Sequence, residues 1–253
     1  MRKELLASLS MIGSLAAAGA AAAQTCATPP SCATLGFTKS ETDCDGLEAL
    51  KCPFDQSKLY CPQGGGNMSA AAPGAILYSD GTISDSVIAS KTPVGIVAYV
   101  NGSTGFAVAL TESNQTWGGY GYNVSCLGDM DSGAASADMN GRVNTQCLVS
   151  DSQTHPAANY CNTFSAVSSG KGSSGWYLPA AGELKAMSYS YGAINLGLQK
   201  LSKTQISSSY YWSSSEDGNY ANYAWVVRPS DGDVYYHYDS ETYSRPVRCV
   251  IAL

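Results

Sequence analysis

Nine cysteines, Cys26, Cys32, Cys44, Cys52, Cys61, Cys126, Cys147, Cys161 and Cys249, carry most of the reactive chemistry in this sequence. They could ligate a metal or close disulfides. A zinc knuckle needs a C-x2–4-C pair, and the closest spacings here leave five, seven and eight residues between cysteines. The only histidines, His155 and His237, complete no such pattern. Disulfides are therefore expected, as in an oxidising compartment. The odd count leaves one thiol free, paired between chains or joined to another protein.

No HExxH, P-loop, dinucleotide or serine-triad signature occurs. Asp129, Asp131 and Asp138 sit in a Gly-rich stretch where they could hold calcium; solvated turn aspartates are the simpler reading. Four N-x-S/T sequences (Asn67, Asn101, Asn114, Asn123) are what chance gives in a chain this rich in Ser and Thr. No catalytic residue, metal ligand or cofactor is assigned.

Tyrosine offers a different chemistry. Residues 210–243 hold eight tyrosines among Ser, Asp, Asn and Gly, and no lysine follows Lys203. A tyrosine brings a large, rigid contact surface with a hydroxyl at its tip, and Ser, Asn and Gly add adaptable hydrogen bonds. An ordinary Tyr-rich sheet would use the same residues. The stretches 217–222 and 238–243 are too polar and turn-like for a core, so a binding face is favoured. Its expected residues are Asp217, Asn219, Tyr220, Asn222, Tyr223, Arg228, Ser230, Asp231, Asp233, Tyr235, Tyr236, His237, Tyr238, Asp239, Ser240 and Tyr243.

The chain that must position them has 253 residues, 44% of them hydrophobic and only 13% charged, with a net charge of −6. That is enough apolar residue for a sizeable core, and the acidic balance argues against nucleic acid as a partner. Residues 1–23 read as a signal peptide: Arg2 and Lys3, an apolar run, then Ala21-Ala22-Ala23. The mature protein is expected to be secreted or held at the cell surface, with the periplasm as an alternative. Residues 24–66 hold five cysteines and too little chain for a core, and read as a disulfide-stapled stalk module. Residues 67–74 read as a linker, and 75–253 as the ligand-binding domain.

Within that domain, Ala75–Tyr78 and Thr82-Ile83 flank the Asp80-Gly81 turn as a hairpin. Val94–Val100 and Gly105–Leu110 are apolar runs suited to strands buried on both faces. Turns are expected over 118–142. Helices are expected over His155–Phe164 with Thr154 as cap, from Pro179 through Met187, and over Ile194–Leu201. Strands return at Tyr210–Trp212, Tyr223–Val227, Asp233–Tyr238 and Val247–Ile251. Strands, then helices, then strands make an α+β domain.

Several of these segments form recognisable blocks. They are Ile76-Leu77-Tyr78-Ser79-Asp80-Gly81-Thr82, Gly175-Trp176-Tyr177-Leu178-Pro179-Ala180-Ala181-Gly182-Glu183-Leu184, and Tyr211-Trp212-Ser213-Ser214-Ser215-Glu216. Ala224-Trp225, Gly232 and Arg245-Pro246-Val247-Arg248 follow. In this order they resemble exported bacterial domains with a C-type-lectin-like fold of the formylglycine-generating-enzyme subtype. The C-terminal domains of bacterial collagen-like adhesins are similar, as are the variable proteins of diversity-generating retroelements. The resemblance covers about residues 75–253.

It implies that Trp176, Trp212 and Trp225 are framework aromatics and that the domain termini come together. It also implies a Cys161–Cys249 bridge, which leaves Cys126–Cys147 to close the loop between them. The pairing of Cys26, Cys32, Cys44, Cys52 and Cys61 is left open. The lectin calcium sequences (Glu-Pro-Asn, then Trp-Asn-Asp) do not occur. The oxidase of the subtype holds copper with a C-terminal cysteine pair, whereas Cys249 stands alone in the last strand. Retroelement diversification yields Asn, Tyr, Asp, Ser and His, and the residues at 217, 219, 220, 222, 223, 230, 231, 233, 235–240 and 243 are nearly all from that set. The reading is an exported, non-enzymatic binding protein whose partner is a surface protein or glycan of another cell, phage or host. A glycan-binding adhesin and a formylglycine-generating-type oxidase are the alternatives; anchoring and oligomeric state are left open.

Overall fold

The structure, a computed structural model, describes residues 50–52, 55–60, 72–101, 104–128, 130–237 and 243–253. The expected signal peptide lies outside the described residues, as does most of the 24–66 module. From that module the structure gives one antiparallel pair, β1 (Leu50–Cys52) with β2 (Asp55–Tyr60).

The domain is built on β3 (Ile76–Tyr78), β4 (Ile83–Ser84), β5 (Pro93–Asn101) and β6 (Thr104–Ala109), joined by the much later β8 (Trp176–Tyr177) and β13 (Val250–Ala252). β7 (Ser113–Gln115) instead pairs with β12 (Arg245–Val247). The six-stranded order is β4-β3-β5-β6-β13-β8. The domain's first strand, β3, and its last, β13, thus share a sheet, with β5 and β6 between them. Ile76, Ile96, Val108, Val250 and Tyr177 line up across it and enter one apolar cluster. Leu77, Ala107, Ile251 and Trp176 point to the opposite side and enter a second cluster. Side chains alternate across a strand, so apolar runs such as Val94–Ala98 serve a sheet covered on both faces.

Helices supply the cover. α4 (Ala181–Met187) and α5 (Tyr191–Lys200) bring Leu184, Met187, Ile194 and Leu198 to one side. α2 (Gly141–Ser150) and α3 (Pro156–Thr163) bring Leu148, Ala157 and Ala158 to the other. Two expectations are corrected here. The 118–142 stretch is not all turn: it contains α1 (Ser132–Ala137) and the start of α2. α2 was unreadable because its inward positions include Gly141, Asn144 and Thr145, which break the apolar period that marks a helix. The residue capping α3 is His155, not Thr154.

A second sheet, ordered β11-β10-β9, sits at the far end of the chain: β9 (Tyr211–Glu216), β10 (Ala224–Arg228) and β11 (Asp233–His237). Trp212, Ala224 and Val226 enter one core cluster, and Tyr211, Trp225 and Val227 the other. Trp176, Trp212 and Trp225 are all buried, as the resemblance implied. So is Trp117, whose indole N–H donates to the Ser213 carbonyl at 2.8 Å.

Both expected bridges are present. Cys161–Cys249 ties α3 to the residue just before β13, not to a residue within the last strand as expected, with a Cα separation of 5.3 Å, and Cys126–Cys147 ties the loop before α1 to α2 at 5.9 Å. Arg248, next to the bridge, is 1% exposed. Its guanidinium donates to the Ala109 and Thr204 carbonyls and meets Glu112 at 2.8 Å.

Candidate ligand-binding face

The floor of the face is a buried polar layer. Ser213, Ser214, Ser215, Glu216 and Asp217 are all buried; most of their polar groups have partners, the exception being the Ser214 hydroxyl, although the Ser214 amide donates to the Pro179 carbonyl at 2.8 Å. Ser213 donates to the Trp225 carbonyl at 2.7 Å, and Ser215 donates to Asp138 Oδ2 at 2.7 Å. Asp138 also accepts from Asn144 Nδ2 at 2.7 Å and from the Asn140 amide at 2.9 Å. It is therefore an internal strut, not the solvated turn aspartate expected. Asp131 instead caps α1 by accepting from the Ala134 amide. Asp129 lies outside the described residues.

Glu183 stands in the same layer. Its carboxylate accepts from the Tyr177 hydroxyl at 3.0 Å and the Ala180 amide at 2.9 Å. Burial nevertheless pushes its pKa up to about 7, because a desolvated carboxylate favours its neutral form.

Above this floor the 217–223 turn and the β10–β11 hairpin rise to the surface. Asp217 was expected to be exposed and is 5% exposed. Its carboxylate accepts from the Asn219 amide at 2.8 Å, and its own amide donates to the Tyr223 carbonyl at 3.0 Å. It shapes the turn from below, leaving Asn219 and Tyr220 outermost. Asn222, Tyr223, Arg228 and Ser230 are half-buried; Asp231, Asp233, Tyr235, Tyr236 and Tyr243 are exposed. Tyr238, Asp239, Ser240 and the side chain of His237 lie outside the described residues. Both faces of β11 meet solvent: Tyr235 and Tyr236, on opposite sides of the strand, are 44% and 37% exposed. β11 is the outer strand of its sheet, which leaves both its faces partly uncovered.

The tyrosines form a ladder of rings. Tyr220 lies 4.9 Å from Tyr223, Tyr223 5.6 Å from Tyr236, Tyr236 5.1 Å from Tyr235, and Tyr235 6.1 Å from Tyr210. Trp225, directly opposite Tyr236 across the hairpin, meets it edge-on at 6.0 Å and anchors the ladder to the core. At the hairpin turn, Arg228 binds Asp231 at 2.8 Å and Asp233 at 3.3 Å, and its guanidinium carbon lies 4.9 Å from the Tyr210 ring centroid. The Tyr210 hydroxyl donates to Asp233. The guanidinium holds the Asp231 carboxyl below the usual range, and the hydrogen bond to Asp233 raises the Tyr210 phenol. Gly232 closes the turn at φ +75°, where a Cβ would meet the Ser188 hydroxyl at 2.7 Å.

The family model of the Lcl C-terminal domain matches residues 123–250. The chain belongs to the Lcl C-terminal domain family. The matched segment runs from the start of the Cys126 loop through α1 to α5 and the ladder hairpin to β13. A solved fimbrial protein from Bacteroides ovatus shares the fold, with a TM-score of 0.57 at 17% identity. The match covers 70% of this chain and 48% of that one, so the chain spans about half the length of that protein. No curated protein matches the chain.

The fold also brings to the face a segment, just ahead of the matched residues, that the sequence reading missed. The Gly118–Asn123 loop packs beside the 217–223 turn: the Gly121 amide donates to the Ala221 carbonyl at 3.1 Å, and the Val124 amide to Glu216 Oε2 at 2.9 Å. Tyr120 and Tyr122 on this loop are 44% and 59% exposed. The loop is held down at Gly119, whose φ is +77° and whose missing Cβ would lie 2.6 Å from the buried His155 ring. Its Gly-Gly-Tyr-Gly-Tyr composition was the available signal, read only as a turn. Among the described residues, no group of three or more His, Cys, Asp and Glu is arranged to hold a metal ion. None of their helices is long and apolar enough to cross a membrane. The sulfur of Cys249 is committed to its bridge.

Proposed function

We propose that this chain is an exported, non-enzymatic binding protein, and that its Lcl domain displays the tyrosine ladder to a molecule on the surface of another cell, phage or host. We further propose that the domain is C-type-lectin-like, of the formylglycine-generating subtype, and that codons of the 217–243 segment are diversified by a retroelement. The observation that carries the reading is the contrast between floor and face. Ser213, Ser215, Glu216, Asp217, Trp212 and Trp225 are buried and bonded to their surroundings, while Tyr220, Tyr235 and Tyr236 above them are exposed and joined in the ladder of rings. A rigid floor lets exposed side chains bind without the cost of ordering a loop. The family membership and the two disulfides support export; the residue set of the segment supports diversification.

The test is binding of labelled mature chain to panels of bacterial, phage and host-cell surfaces. Saturable binding that Tyr220→Ala with Tyr235→Ala removes supports the reading; binding unaffected by them contradicts it. For diversification, the locus should carry a reverse transcriptase gene beside a near-copy of this coding segment, and sibling isolates should differ at these codons. An isolated, invariant gene would contradict that part.

A further inference from the structure

The Gly118–Asn123 loop is fastened at both ends to the strand that leads into the ladder. Trp117, just before the loop, is buried, and its indole N–H donates to the Ser213 carbonyl at 2.8 Å. Val124, just after it, is buried, and its amide donates to the Glu216 carboxylate at 2.9 Å. Ser213 and Glu216 both stand on β9. Between these anchors the Gly121 amide reaches the Ala221 carbonyl, in the turn that follows β9, at 3.1 Å. Just beyond Val124 the Cys126–Cys147 bridge ties the same segment to α2. Its start is pressed onto the framework as well: a Cβ on Gly118, at φ +89°, would lie 2.0 Å from the Thr154 carbonyl oxygen. Loop and turn are therefore hung side by side on one strand, and three bonds hold them in register.

This scaffold holds out two tyrosines. Tyr120 and Tyr122 flank Gly121, both are exposed, and neither ring belongs to the two apolar clusters. Across the Gly121–Ala221 bond stands Tyr220, the exposed end of the ladder. A surface loop ordinarily loses entropy when a partner orders it. Here folding has already fixed the backbone, so the two rings can be used without that loss. Rigid tyrosines set among Gly and Asn also match the composition of antibody contact loops.

We infer that the binding face is built from two chain segments, and that its partner is one continuous macromolecular surface that rests on Tyr120 and Tyr122 while it engages the ladder, its polar groups meeting the phenol hydroxyls of both. The inference rests on reading the ladder as the binding face. Lying outside the 217–243 segment, the loop supplies the same contacts whichever residues that segment carries. The test uses the chain and the cell, phage or host surface of the panel that binds it most tightly. Tyr120→Ala with Tyr122→Ala should weaken that binding by more than about 5-fold, as truncation of aromatic anchors does, and leave the melting temperature within about 2–4 °C of the parent. Hydroxyl-radical footprinting of the unsubstituted chain should show Tyr120 and Tyr122 losing reactivity together with Tyr220 and Tyr235 once the surface is bound. If the double variant loses its fold, the footprint alone decides. A smaller loss of binding in the folded variant, or loop tyrosines that stay reactive in the complex, would overturn the inference. Either result leaves the ladder reading standing so long as Tyr220→Ala with Tyr235→Ala removes binding. If that pair has no effect, both fall.

Discussion

Asp217 and Tyr220 are three residues apart and behave oppositely. The carboxylate of Asp217 is buried and holds the Asn219 amide, whereas Tyr220 is 57% exposed. Asp217→Ala should therefore cost about 1–3 kcal/mol, because the partly buried bond from the Asn219 amide is lost and a buried side chain is removed. Tyr220→Ala should stay within about 0.5 kcal/mol, as surface changes do. Denaturant midpoints of the two variants check this. Glu183 gives a pH signature. Its pKa rises from an ordinary 4.5 to about 7 in the fold, so the folded protein holds a proton that the unfolded chain releases. Stability contributed this way is full below about pH 4.5 and is lost as pH rises through about 7. The lowered carboxyl of Asp231 acts in the opposite sense, losing its contribution as pH falls through its depressed value, and the two windows do not overlap. Glu183→Gln should abolish the decline between pH 4.5 and 7 in melting temperatures; an unchanged slope would assign it to another group. The sequence did not reveal these roles, because a Ser-Ser-Ser-Glu-Asp run gives no sign of which side chains face inward.

Elements were legible where one physical signal dominated. The β3–β4 hairpin, the apolar strands β5 and β6, and the β10–β11 hairpin around Ser230-Asp231-Gly232 all stand where turn residues and apolar runs put them. α2 was not, because its inner face is polar and bonds to Asp138 and to the backbone at Leu178. The same polar helix is held by the Cys126–Cys147 bridge, which closes a separation of 21 residues, against 88 for Cys161–Cys249. In the chain-entropy picture these correspond to roughly 3 and 4–5 kcal/mol. Replacing both cysteines of the longer bridge by alanine should therefore lower the unfolding free energy more than the same change at the shorter one. Equal losses would mean that local packing, not loop closure, sets the effect.

At the scale of the whole molecule, the two sheets share two apolar clusters that need none of the exposed rings. The domain is a framework whose stability resides in Trp117, Trp176, Trp212, Trp225 and the strands around them, and its outer tyrosines are available for another task. That independence is the central claim, and one paired measurement tests it: melting temperature and surface binding of the chain carrying Tyr220→Ala and Tyr235→Ala. The account predicts a melting temperature within about 2–4 °C of the parent and complete loss of binding. A chain that unfolds on these substitutions would contradict it by making the ladder part of the core. A chain that stays folded and still binds would contradict it by placing the binding face elsewhere.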